Sequence, residues 1–240
     1  MYSMKIEILF PEISNIYGDS GNVMYLKQSI PNVEIIETNL GEKPTFIEEK
    51  VDLIYLGSMT EKMQEKAINS LMQYRENIKN SIDAGQAFLC TGNAIEIFGK
   101  YIENEDNSKI EGLNIFDIYS QRDMMHRYNS LFLGEFEGIK LVGFKSQFSH
   151  EYGDNSNNYF AKVIRGSGLN KDSKLEGIKV NNFIATTILG PILVLNPKFT
   201  KYFISNILKQ EEVNIAFEEE AMEAYEKRLA EFEDKKRKLV

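Results

Sequence analysis

The chain has 240 residues, 42% of them apolar, which suits one large α/β domain, alone or with an appendage. Its formal net charge is −8, so a surface built to wrap nucleic acid phosphates is excluded. No apolar run reaches the ~20 residues that span a bilayer, and the start lacks the apolar core of a signal peptide.

Residues 4–10 read as a first strand and Val33 to Thr38 as a second, with a short helix around Val23 to Ser29 between them. Val51 to Gly57 and Ala87 to Cys90 are nearly continuous apolar runs, the pattern of strands buried on both faces of a parallel sheet. Between these runs, Met63, Ala67, Leu71 and Tyr74 recur at helical spacing, so one long helix is expected from Thr60 to about Asn80, with Thr60 as its cap. Strand and helix in alternation imply right-handed crossovers and an open, doubly wound, mostly parallel α/β sheet of the flavodoxin-like kind, with helices on both faces. The second half reads as strand-rich over 113–119, 130–136, 139–144, 158–165 and 182–195, and 102–109 reads as a polar loop. From Lys209 onward charges of both signs dominate. Ile215, Met222, Tyr225, Leu229 and Phe232 mark a narrow apolar stripe on a long, largely solvent-facing helix. The expected division is a domain over 1–208 and a charged helical extension over 209–240.

The lone cysteine can make no internal disulfide, so the expected compartment is the cytoplasm. Two histidines and one cysteine exclude a conventional structural zinc site. No cofactor is called for, and no G-x-x-x-x-G-K-[ST] phosphate loop is present.

The segment richest in chemistry is Asp83 to Ala94. A buried strand runs into Cys90, and a tight turn with Gly92 follows. Such a turn can throw a thiol above the sheet's carboxyl edge, where ligands of open α/β sheets bind. A following helix N-terminus would lower the thiol pKa. A small buried hydrophobe is the alternative reading of the same residue.

Four segments carry a family resemblance. Pro11-Glu12-Ile13-Ser14-Asn15-Ile16-Tyr17-Gly18-Asp19-Ser20-Gly21-Asn22 is similar to an opening P-x-x-x-N-x-Y-G-D-x-G-N. Gly57-Ser58 follows the third strand. Cys90-Thr91-Gly92 stands where C-G-G-Y-Q is usual, with Asn93 and Ala94 for the Tyr-Gln pair. Thr186 to Pro197 is similar to T-Y-L-H-G-P-x-L-x-x-N-P. The chain thus resembles class I glutamine amidotransferases of the cobyric acid synthase-like type, and among them the glutaminase subunits of lipid II isoglutaminyl synthases.

The resemblance implies that Cys90 attacks the side-chain amide of glutamine. Backbone N–H groups of the Gly57-Ser58 turn and Thr91 would hold the oxyanion. Ammonia would pass to a Mur-ligase-like synthetase that amidates the lipid II stem peptide. Arg127 lies where these subunits carry an arginine suited to the substrate carboxylate. The histidine of the motif, however, aligns with Leu189, which can move no proton. Two readings follow. In one the chain is a glutaminase in which His150, or secondly His126, replaces that histidine. In the other it is a catalytically impaired homologue that binds a ligand or docks a partner enzyme.

Overall fold

In the computed structural model, residues 3–236 are described. The chain runs β1 (Met4–Leu9), α1 (Ser20–Ser29), β2 (Val33–Thr38), β3 (Leu53–Leu56), α2 (Glu61–Met72), α3 (Arg75–Asp83), β4 (Ala87–Thr91) and α4 (Ala94–Ile97). Ten short strands follow: β5 (Tyr101–Glu103), β6 (Lys109–Glu111), β7 (Ile118–Arg122), β8 (Tyr128–Phe136), β9 (Ile139–Gln147), β10 (Ser149–Gly153), β11 (Ala161–Arg165), β12 (Leu175–Glu176), β13 (Ile178–Val180) and β14 (Phe183–Thr186). Helices α5 (Ile192–Leu195), α6 (Pro197–Tyr202) and α7 (Glu218–Glu233) come last.

The main sheet has the order β13-β14-β4-β3-β1-β2 and is parallel except for β13, which pairs antiparallel with β14. Every residue of β3, β4 and β14 is buried, as expected of central strands covered on both faces. One face packs α2, α3 and α4 through Ala67, Ile68, Leu71, Ile78, Ile82 and Ile95. The other packs α1, α5 and α6 through Val23, Leu26, Ile192, Leu193 and Phe199. The chain leaves β1 toward β2 on one side and then crosses back past β1 to β3 on the other. The crevice beyond the carboxyl ends of β1 and β3 is therefore the switch point at which such sheets bind ligands.

Two smaller sheets, β10-β7-β5-β6 and β12-β11-β8-β9, follow α4. The hairpin of β8 and β9 and the step into β10 bring Ser146, Gln147, Phe148, Ser149 and Glu151 to the site, so this insertion contributes part of its lining.

Several local expectations change. The helix expected over Thr60–Asn80 breaks at Gln73 and Tyr74, where Tyr74 leaves helical geometry at φ −103°, ψ 10°. The expected loop over 102–109 is instead β5 and β6. Their turn is closed by the Asn104 N–H donating to Ser108 and by Asn107 at φ +64°. The last strand ends at Thr186, and 192–195 forms a helical turn after Gly190, at φ +90°. The narrow apolar stripe seats α7 on the domain, where Tyr225, Leu229 and Phe232 pack on Leu133 of β8 and Val142 of β9, and most of the helix's other residues are exposed. Ile215 belongs to the core under α1. Residues 237–240 of the expected extension lie outside the described residues.

Candidate functional site

The loop after β1 is fixed by a buried network. Asp19 accepts from the Ser58 hydroxyl (2.6 Å), the Thr91 hydroxyl (2.8 Å) and the Tyr17 N–H (3.1 Å). The Tyr55 hydroxyl donates to the Asp19 carbonyl, and the Asn22 amide donates to Tyr55. The Asn22 side-chain oxygen accepts from the Leu193 N–H. Asp19 and Asn22 thus tie the ends of β3 and β4 to the segment after β14. Gly57 is required here, because a Cβ on it would meet the Ser14 carbonyl at 2.1 Å.

A cavity of about 150 Å³ opens above this network. In size it compares with a cavity that holds one benzene ring. Ser58, Met59, Gly92, Asn93 and Leu189 line it, together with the buried Glu96, Thr187, Ser149 and Glu151, Gln147, and the exposed Ile16 and Arg127.

The turn out of β4 is made at Gly92 (φ +62°), not at Cys90. A nucleophile elbow is such a sharp strand-to-helix turn. Aligned on that turn, Gly92 takes the nucleophile's place in C-G-G-Y-Q. Glu96, four residues on, takes the place of the motif's glutamine. A Cβ on Gly92 would lie 2.5 Å from Ser58 Cβ and 3.0 Å from Leu189 Cδ2. Leu189 is held there by its N–H donating to the Phe144 carbonyl (2.8 Å).

Cys90 lies two residues earlier, inside β4, in register with Leu56 and Ala185. It is fully buried in the core on the α2 and α4 side and does not line the cavity. Burial raises its thiol pKa above the usual range, and α4, a single turn, does not offset this. Placing Cys90 at the head of the elbow is therefore corrected. Its side chain follows the strand's alternation into the core rather than the turn into the cavity.

The other expected residues divide. Ser58 and Arg127 line the cavity, with the Arg127 guanidinium 4.4 Å from the Phe148 ring centre. Gly57 and Thr91 support the floor but do not reach the cavity, and the Thr91 hydroxyl is spent on Asp19. The Met59 N–H at the cavity wall donates to Asn93 Oδ1 (3.0 Å), while the Asn93 amide donates back to the Met59 carbonyl (2.7 Å). That clamp fixes the backbone just after the Gly57-Ser58 turn against the turn out of β4.

His150 does not line the cavity. Its Nδ1 is 3.2 Å from Gln147 Nε2, and its ring stands edge-on to Tyr128. Burial, with Lys171 and Lys145 nearby, lowers its pKa to about 4. His126 is exposed and pairs with Asp123.

The residues not singled out from sequence are acidic. Glu96 and Glu151 line the cavity at 2% and 1% exposure. Glu96 accepts from the Ser149 hydroxyl. Burial pushes its pKa up to about 7, with Ser149 and Arg122 pulling it back. Burial and the charge of Glu96 also raise Glu151 well above the carboxylate range. Behind them the buried Lys145 ammonium pairs with Glu176, which also accepts from Thr186 and Thr187.

Residues 5–196 match the CobB/CobQ-like glutamine amidotransferase domain. The chain belongs to that family. Two curated relatives of this amidotransferase domain are both named lipid II isoglutaminyl synthase (glutamine-hydrolyzing) subunit GatD. The Staphylococcus aureus protein is 26% identical over 208 residues, covering 85% of this chain and 84% of the relative. The Streptococcus pneumoniae protein is 23% identical, covering 87% and 82%. The domain is thus homologous to the GatD subunit, the group its motifs indicated.

Solved structures share its fold. PurLQS from Thermotoga maritima aligns with a TM-score of 0.54 at 10% identity, covering 95% of this chain and 100% of that one. A glutamine amidotransferase of the same organism gives 0.53 at 12% identity, covering 94% and 93%. Among the described residues no helix is long and apolar enough to cross a membrane, and no cluster of His, Cys, Asp and Glu is arranged to hold a metal.

Proposed function

We propose that this amidotransferase domain occupies the place of a glutaminase subunit on a Mur-ligase-like synthetase in the cytoplasm, and that its cavity binds a small ligand without hydrolysing it. The family and the GatD relatives support the subunit role, with the lipid II stem peptide as the assembly's acceptor. One observation carries the rest: the elbow residue facing the cavity is Gly92, and Leu189 stands against it. A glycine offers no nucleophile and a leucine no base, while Cys90 is shut inside the core as a neutral thiol.

A second reading is favoured by the relatives, whose names state glutamine hydrolysis. In it a partner rearranges the β4 turn so that Cys90 enters the cavity, Thr91 supplies an oxyanion donor, and His150 serves as base.

Release of glutamate and ammonia from glutamine separates the two, measured with the purified chain alone and with a Mur-ligase-like partner. The proposal expects no release above background in either setting. Release that disappears in Cys90→Ala would overturn it.

A further inference from the structure

Two buried carboxyls come together between the inserted strands and the elbow. Glu96 belongs to α4, the single turn that follows Gly92, and Glu151 to β10. The Ser149 hydroxyl joins the two elements by donating to Glu96, and the Gln64 amide of α2 also bonds Glu96. Ser149 and Glu151 are two residues apart on β10, so they point to the same side of it. There Glu151 stands close enough to feel the charge of Glu96.

The Oε2 atom of each carboxyl is sealed from solvent and has no hydrogen-bond partner among the described residues. These two atoms are turned into the protein, not toward the cavity. Native proteins rarely leave such atoms without a donor. Ionised carboxylates only accept, so neither can serve the other, whereas a carboxyl that keeps its proton donates. One proton between Glu96 and Glu151 satisfies both. The other buried carboxylates need none. Glu7 accepts from Thr38, Thr45 and Phe46, Asp19 from Tyr17, Ser58 and Thr91, and Glu176 from Lys145, Thr186 and Thr187.

The charges around the pair agree. Lys145 of β9 is committed to Glu176 of β12 and to the Gly168 carbonyl. Arg122 of β7 is committed to Glu65, Gln64, Asn104 and the Glu61 carbonyl. Its Nε is a buried donor without a partner among the described residues, and its charge favours an ionised Glu96. Glu61 of α2 acts against that charge. Cys90 of β4 is a neutral thiol, and His150, with Lys171 nearby, points to the opposite side of β10. These surroundings leave the pair room for one negative charge, not two.

We propose that Glu96 and Glu151 share a proton, and that this proton is a latch fastening β10, and with it the inserted side of the cavity, to α4. Its loss to solvent base leaves two buried carboxylates side by side, and their repulsion parts β10 from α4. Burial holds both carboxyls above the usual carboxylate range. The pair therefore gives up its protons in two steps. The first, at about 7, leaves one proton shared, so the latch stays closed at neutral pH. The second is pushed higher by the charge already present and opens the latch in alkali. The latch is indifferent to whether glutamine is hydrolysed.

The test uses the full chain. At pH 8 ordinary carboxyls are ionised, so an infrared band from a protonated carboxyl reports the pair. Wild type is expected to show the band. Glu96→Gln and Glu151→Gln are expected to lack it, because the new amide donates to the remaining carboxylate. Amide hydrogen exchange, corrected for the intrinsic rate at each pH, follows the strand. Between about pH 7.5 and about pH 9.5, residues 149–153 are expected to lose protection about tenfold or more, with β1 and β3 unchanged. Either Gln variant is expected to keep that protection level. If one variant does not fold the other serves, and the wild-type measurements need neither. Absence of the band in wild type would overturn the proposal. So would a wild-type β10 that keeps its protection, a loss shared equally by β1 and β3, or the same loss in a folded Gln variant.

Discussion

Leu189 Cδ2 lies 3.0 Å from the point where a Cβ on Gly92 would stand, and Ser58 Cβ lies 2.5 Å from the same point. The space in front of the elbow is filled from both sides, and the backbone there has a positive φ that only glycine adopts without strain. Gly92→Ala is therefore expected to lower stability by roughly 1–3 kcal/mol, read as a shifted urea midpoint. An unchanged midpoint would mean that the turn has room for a side chain.

Cys90 is expected to behave as a core residue. Its thiol is buried and held neutral, so iodoacetamide at pH 8 should label the native chain only as fast as the chain opens. In denaturant it should label at the rate of a free cysteine. Rapid labelling of the native chain, measured by mass spectrometry, would place the thiol in the cavity instead.

Asp19→Ala removes the acceptor shared by Ser58, Thr91 and the Tyr17 N–H. Leaving buried donors unserved should cost about 2–4 kcal/mol, because several bonds are lost at once. Asp19→Asn keeps an acceptor oxygen and should cost less. Equal losses in the two variants, compared by chemical denaturation, would refute the network's part in stability.

Glu96 titrates near 7 in the folded chain, above its value in an unfolded chain. The folded state thus holds its proton more tightly. The stability this gives is full below about pH 4.5 and is lost as pH rises through about 7, a change on the order of 3 kcal/mol. Glu96→Gln should flatten that decline. His150 acts in the opposite sense, because its lowered pKa disfavours the imidazolium and costs stability as pH falls below about 6.5. The difference between wild type and Glu96→Gln reports Glu96 together with its effect on Glu151, and a difference that does not grow with pH would refute the assignment.

The sheet was legible because β1, β3 and β4 are short apolar runs, and an apolar run of that length has few homes other than a central parallel strand. The family was legible because Asp19, Gly21, Asn22, Gly190 and Pro191 have geometric duties. A Cβ on Gly21, for instance, would meet Pro191 at 2.7 Å. The site was less legible because a motif aligned on its most reactive residue need not align on its turn. Cys90 drew the register two residues from Gly92, where the chain bends. Glu96 and Glu151 were hidden for another reason: they come from α4 and β10, and only the fold sets them on one cavity. The fate of α7 depended on β8 and β9, about ninety residues earlier, so its apolar stripe alone could not say what it would cover.

The seating of α7 also bears on the order of assembly. In a chain made from its amino end, the patch around Leu133 and Val142 emerges long before Tyr225, Leu229 and Phe232. Arg165 on β11 likewise waits for the carbonyls of Phe232 and Asp234 that its guanidinium meets at the end of the helix. During synthesis the β8–β9 face therefore stays bare and adhesive until the last turns of α7 leave the ribosome, which is the interval in which a chaperone would find its target on this protein.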